Sequence, residues 1–344
     1  MNTLGLKHIK QLYQRHFQAE PTDISELGAH ASKRSMLRLS SSNQASCIGV
    51  YNENSKENLA FINFGKTFKT LNLPVPEIIA QDLDSNVYLQ QDLGEQTLWD
   101  ILSTLRSDTN PFPVAVQELY KQALSFLVKF QIEGGKAIDY SNCVLHQEYS
   151  RDSMLADMRY FAQEFLERHE VKYSKSELEK NFQVLSELLL TAPIKHFCYR
   201  DFQSRNIMLH EDQLYFIDFQ GGRKGAVHWD LVSLLYQSSA NIPENIRQQL
   251  YLHYLTELKE FENIDEAEFR SQYSGFILIR MLQVLGTYGK HGLGAGKEYF
   301  LNSIPHALKN IQEMALTGSF PKGLTELEKV LKELSETYGD VFDA

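Results

Sequence analysis

Asp201, Asn206 and Asp218 stand at the ends of two short apolar runs, and their spacing restricts the fold more than any other feature. Four residues separate Asp201 from Asn206, and Asp218 lies twelve positions beyond Asn206. Between them the runs Ile207–Leu209 and Leu214–Ile217 are split by the polar His210–Gln213. Apolar runs of this length around a polar turn predict a hairpin. A hairpin brings its ends together, so Asn206 and Asp218 are predicted side by side. Single Asp residues are ordinarily turn or cap carboxylates. Two Asp and an Asn around one hairpin suit a different chemistry. Two oxygens can hold a hard cation on phosphates, and a carboxylate can take a proton from a hydroxyl.

The wording around these residues carries a resemblance. Tyr199-Arg200-Asp201-Phe202-Gln203-Ser204-Arg205-Asn206 resembles the catalytic loop H-[RG]-D-x-x-x-x-N of kinase-like enzymes, and Asp218-Phe219-Gln220 resembles their D-F-G. With His228-Trp229-Asp230-Leu231 following, the segment is similar to the aminoglycoside phosphotransferase superfamily, and within it to the N-acetylmuramate/N-acetylglucosamine kinase branch. That resemblance implies a two-lobed α+β protein-kinase-like fold, with a small antiparallel-sheet N-lobe and a mostly helical C-lobe. It implies ATP and Mg²⁺ as cofactors and transfer of a phosphoryl group to a small-molecule hydroxyl, that of an N-acetylated amino sugar at its anomeric position. Asp201 is then the general base beside Arg200, and Asn206 and Asp218 are the Mg²⁺ ligands.

Composition agrees with a soluble enzyme and excludes other classes. At 344 residues the chain exceeds the usual size of one domain. It is 43% hydrophobic, with 20 Phe and 17 Tyr, ample for a core. The net charge of −10 argues against a nucleic-acid partner. Cys47, Cys143 and Cys198 are scattered, which fits a reducing compartment and neither a disulfide framework nor a metal cluster. No run approaches the ~20 apolar residues of a membrane span, and residues 1–17 lack a signal-peptide core, so the expectation is a cytoplasmic protein with no membrane partner.

Taken in order, residues 4–17 are spaced for a helix that Pro21 ends. Met36–Leu39 and Cys47–Tyr51 read as strands, Glu57–Thr70 as a helix, and Glu77–Gln81 and Asn86–Gln91 as two more strands. By the resemblance, the first hairpin covers the nucleotide phosphates, and its second strand should carry a lysine for them. Ile48-Gly49-Val50-Tyr51-Asn52 has none, so Lys33, Arg34 or Arg38 is left to supply that charge. Glu57 reads either as an orienting carboxylate or as a first-turn acid favoured by the helix dipole. Gln90-Gln91-Asp92-Leu93-Gly94 resembles the L-L-E-D-L-G hinge against adenine, which makes Gln90 and Asp92, with Lys33 and Arg34, the nucleotide-binding candidates. The domain division is drawn after Gly94: residues 1–94 for the nucleotide, 95–344 for catalysis and acceptor. Val114–Phe130, Met154–Arg168 and Ser176–Leu190 read as helices, and Glu133–Tyr149 as an irregular loop. Everything after Asp230 is helical in pattern, interrupted by the glycines of 286–296.

Supporting residues carry an ordinary reading beside the functional one. Tyr199 stands where the family has His, and its hydroxyl can donate one hydrogen bond to brace the loop. Asp230 either caps an apolar helix or, as the resemblance implies, braces the catalytic loop. Arg223 and Lys224 follow Gly221-Gly222 next to Asp218, where an acceptor carboxylate would approach, or else stay in solvent. Arg280, within an apolar helix stripe, is a further acceptor candidate because an isolated charge there is costly. The absent lysine and Tyr199 also motivate a rival: a nucleotide- or sugar-binding pseudokinase. Kinases of another small alcohol or an aminoglycoside are the remaining alternatives.

Overall fold

In the computed structural model, residues 3–28, 34–42, 44–169 and 171–338 are described. The chain divides into two compact units. The first gathers Met1–Thr104, Lys129–Gln147 and Tyr199–Arg223, and the second Leu105–Val128, Glu148–Cys198 and Lys224–Ala344. These units do not break at Gly94, where the expected division separates nucleotide from acceptor contacts.

The first unit is built on an antiparallel sheet of five strands among the described residues. Its strands are β1 (Asp23–Leu27), β2 (Ser35–Ser41), β3 (Gln44–Tyr51), β4 (Ile78–Asp82) and β5 (Val87–Gln91), in the order β1-β2-β3-β5-β4. Alternation along a strand sends successive side chains to opposite faces. In β5, Val87 and Leu89 join Ile9, Leu12 and Tyr13 of α1 (Thr3–Phe17) in one apolar cluster, while Tyr88 and Gln90 line a cleft. Gly49 of β3 is what lets α1 lie so close: an added Cβ would sit 2.3 Å from Ile9 Cγ2. Helix α2 (Ser55–Thr70) follows β3, and the Asn54 side chain accepts from Glu57 N at its start.

The expected hairpin is present as Ile207–His210 paired with Gln213–Phe216. Glu211 and Asp212 both adopt positive φ, 49° and 59°, as a two-residue turn matched to strand twist requires. The hairpin is fastened within the first unit by Phe216 N to Pro74 O at 2.8 Å and by Leu209 N to Gln96 O at 2.8 Å.

The second unit is helical. The 23-residue helix Glu266–Tyr288 packs against Arg151–Phe161, Glu298–Leu316 and His228–Leu235. Two expected boundaries move. Met154–Arg168 is not one regular helix: Arg151–Phe161 passes into a widened π turn, Ala162–Leu166, then a 3₁₀ turn, Glu167–His169. The backbone explains it, since a Cβ on Gly289 would lie 2.0 Å from Glu164 O, an approach only glycine permits. Likewise the helix Val114–Lys129 continues through a π turn, Phe130–Gly134, to Ala137, so the irregular segment begins later than expected. Among the described residues no helix is long and apolar enough to cross a membrane.

Candidate active site

An aromatic stack holds the stretch that carries Asp218. Phe219 lies parallel to Phe61 of α2 (4.7 Å, 4°) and edge-on to Phe68 (5.3 Å, 86°), and Phe61 stacks in turn on Tyr88 (5.4 Å, 27°). With Phe219 fixed, Asp218 is set in the left-handed region at φ 68°. An Asp tolerates that conformation better than most residues. Arg200, also left-handed at φ 79°, tolerates it poorly, and such backbone strain of about 1–3 kcal/mol gathers at functional sites.

The hairpin brings Asn206 Nδ2 to 3.5 Å from Asp218 Oδ2. The same Nδ2 donates to the Asp201 carbonyl at 2.8 Å, which leaves Asn206 Oδ1 as its acceptor. Asp218 Oδ1 accepts from Gln220 Nε2 at 2.6 Å, and Gln220 Oε1 is buried with no hydrogen-bond partner. Asp201 Oδ2 sits 3.9 Å from where a Cβ on Gly221 would stand, so the Gly221 backbone runs alongside the carboxylate. Tyr199 is buried and donates its hydroxyl to Ile217 O at 2.7 Å, directly before Asp218. Two hard oxygen donors beside an orphaned amide oxygen fit Mg²⁺, which takes one or two protein oxygens and fills its shell with water and phosphate. Among the described residues no group of three His, Cys, Asp or Glu stands ready to hold a metal unaided.

A cleft of about 1260 Å³ opens onto these oxygens. Arg34, Glu57, Tyr88, Gln90, Asn206 and Asp218 line it. Arg34 forks between Glu57 Oε2 (3.3 Å) and Asp218 Oδ1 (3.4 Å). Asn52 and Asn54 hold Glu57 by their side-chain amides, each at 3.0 Å. Burial pushes the Tyr88 hydroxyl well above its usual range, so it stands neutral in the wall.

Residues 51–268 match the model of the phosphotransferase enzyme family. The chain belongs to that family. This phosphotransferase is 24% identical over 340 residues to the N-acetylmuramate/N-acetylglucosamine kinase of Neisseria meningitidis serogroup B, covering 96% of each chain. It is 30% identical over 175 residues to the protein of that name from Pseudomonas aeruginosa, covering 49% of this chain and 46% of the relative. Among solved structures, an amicoumacin kinase in complex with AMP-PNP, Ca²⁺ and Ami aligns with TM-score 0.60 at 12% identity, over 95% of this chain and 97% of that one. A spectinomycin phosphotransferase with ADP and spectinomycin aligns at TM-score 0.55 and 14% identity, over 95% and 98%. The fold is kinase-like, as the resemblance implied.

The phosphotransferase places its expected residues unevenly. Arg34 and Gln90 meet Asn206 and Asp218 at the cleft, whereas Lys33 lies outside the described residues. Asp92 faces Arg38 instead, with Nε to Oδ2 at 2.7 Å and Nη2 to Oδ1 at 3.2 Å. Burial alone would raise the Asp92 carboxyl, but the Arg38 guanidinium holds it below the usual range. Arg223 is half-buried and donates Nε to Gly221 O at 3.3 Å. Lys224, Asp230 and Arg280 belong to the second unit. There Lys224 O accepts from Tyr149 N at 2.8 Å. Asp230 is fully buried, with Cys198 Sγ 4.0 Å from Oδ1. It is the third residue of its helix, whose N-cap is Val227, so the capping alternative does not hold. Arg280 is 4% exposed, donates to Gln283 Oε1 at 2.7 Å and lies 5.4 Å from the Trp229 ring centre. Sequence reasoning missed Asn52, Tyr88, and Arg205, which stacks on Trp99 at 4.5 Å. Asn54-x-x-Glu57, a capping signature, was the one available signal for the Asn52 corner.

Proposed function

We propose that this phosphotransferase moves the γ-phosphoryl group of ATP to a hydroxyl of a small molecule, with Mg²⁺ as its metal. Asp201 accepts the hydroxyl proton, with the Gly221 backbone alongside its carboxylate. Asn206 and Asp218 would hold the metal, with Gln220 fixing Asp218 Oδ1. Bound Mg²⁺ supplies charge neutralisation on the phosphate oxygens. Gln90 faces the adenine end, residues 1–94 carry most of the nucleotide contacts, and Arg34 stands in for the absent lysine. Arg200 and Tyr199 position the loop. Asp92 acts on the nucleotide only through Arg38 and the backbone it anchors.

We further propose an N-acetylated hexosamine as acceptor, phosphorylated at its anomeric hydroxyl, in the cytoplasm, where ATP is available. Two amino-sugar kinases among the relatives support that choice. Arg223, Lys224 and Arg280 are the acceptor-side candidates. The observation that carries the whole reading is the juxtaposition of Asn206 and Asp218 at 3.5 Å, with Asn206 tied to Asp201.

The test is coupled ADP release over a panel of sugars, amino alcohols and aminoglycosides. N-acetylmuramate and N-acetylglucosamine should be turned over, and Asp201→Ala should lower kcat by about 10²-fold or more while ATP binding is kept. Turnover of Asp201→Ala within a few-fold of the parent would remove the base assignment. Nucleotide binding without turnover of any acceptor would favour the pseudokinase reading.

A further inference from the structure

A cation reaches Asp218 from far back along the chain. Arg34, 184 positions earlier, places Nη1 3.4 Å from Asp218 Oδ1 and Nη2 3.3 Å from Glu57 Oε2. Its side chain is only 13% exposed, whereas that of Asp218 is 40% exposed, so the arginine is the enclosed partner. Glu57 is itself fixed by Asn52 and Asn54. Asp218 Oδ1 therefore takes two donors, the neutral Gln220 amide at 2.6 Å and a full positive charge.

That charge sits on the carboxylate which the proposed function assigns to the metal. Two cations sharing one carboxylate repel each other, the more so in a partly enclosed cleft. Asn206 and Asp218 also fill at most a third of an octahedral shell, so the remaining ligands must come from water or phosphate. A guanidinium, in turn, matches phosphate in two-pronged geometry better than a point charge does.

We propose that Arg34 is an exchangeable counter-ion: in the nucleotide-free protein it occupies Asp218 and Glu57, and the polyphosphate of the nucleotide draws it away. The metal is then admitted with the nucleotide and not ahead of it. This rests on the metal reading of Asn206 and Asp218. It adds an order of binding, and it gives Arg34 opposite effects on metal alone and on metal with nucleotide.

Mn²⁺ is the probe, with free ion counted by electron paramagnetic resonance. In nucleotide-free protein, Arg34→Met should bind Mn²⁺ about tenfold more tightly than the parent, equivalent to about 1.4 kcal/mol. Adding Asp218→Asn to that variant should abolish the gain. Arg34→Lys, which keeps a cation, should stay within about threefold of the parent. With AMP-PNP present the order should reverse, Arg34→Met binding the Mn²⁺ complex less tightly. Unchanged or weaker Mn²⁺ binding by nucleotide-free Arg34→Met overturns the proposal, as does a tenfold gain in Arg34→Lys. Should Arg34→Met not fold, Arg34→Gln takes its place under the same criteria. Equal Mn²⁺–AMP-PNP affinity in the parent and Asp218→Asn would remove the metal reading as well, whereas failure of the Arg34 arms alone removes only the counter-ion.

Discussion

Arg38 and Arg34 lie four residues apart, and the structure gives them different partners. Arg38 is locked on Asp92 and Glu95 within one corner of the sheet, while Arg34 spans from the start of β2 to the end of the hairpin. No local pattern separates them, because Asp92 and Asp218 reach them from 54 and 184 positions away. The spacing of Asp201, Asn206 and Asp218 was legible for the opposite reason: one short hairpin decides it. Arg223 bears the sharpest prediction at this scale. If its guanidinium meets an acceptor carboxylate, Arg223→Ala should raise KM for N-acetylmuramate roughly tenfold or more, the range of a charge-assisted hydrogen bond. KM for N-acetylglucosamine, which lacks that carboxylate, should change little. Equal increases for both sugars, in steady-state assays, would leave Arg223 with no part in reading the carboxylate.

Among elements, the helix His228–Leu235 shows how packing sets chemistry away from the cleft. His228 is buried between Phe269 (3.9 Å) and Phe276 (5.0 Å, 9°). That burial, with His196 nearby, pushes its imidazole from 6.5 down to about 3. The unfolded chain binds this proton below pH 6.5 and the folded protein only near 3, so between those values the unfolded state holds more protons. Stability present above pH 6.5 is therefore lost as pH falls, at up to about 1.4 kcal/mol per unit from this group. His228→Gln should flatten the fall of Tm between about pH 6 and 4 in calorimetric scans, even where its Tm near neutrality is lower. Parallel curves for both proteins would exclude His228 as the titrating group. Periodicity foresaw this helix and its neighbours, since an apolar stripe repeats locally. It did not foresee the π turns at Phe130–Gly134 and Ala162–Leu166. Those answer to the Phe68 ring against Gly134 and to the Glu164 backbone against Gly289, contacts that no single window of sequence contains.

For the molecule as a whole, the first unit is assembled from three separate lengths of chain. Phe61 and Phe68 come from the first, Phe130 from the second, and Tyr199, Phe216 and Phe219 from the third, and their rings meet in one cluster, mostly edge-on. A growing polypeptide makes these lengths at different times. At about 5–20 residues per second, once β5 is complete, helix α2 waits roughly 6–26 s on the ribosome for Phe219, which covers Phe61 and Phe68. During that interval its aromatic face is exposed, and such surfaces attract chaperones or one another. A fragment ending at Gly94 should accordingly aggregate or melt without a cooperative transition, while one ending at Lys224 should recover protection of the β3 and β5 amides in hydrogen exchange. Equal protection in both fragments would mean that the sheet is self-sufficient at birth. Otherwise the timing of synthesis, as much as the final packing, governs the yield of active enzyme, and slow translation before Tyr199 prolongs the vulnerable stage.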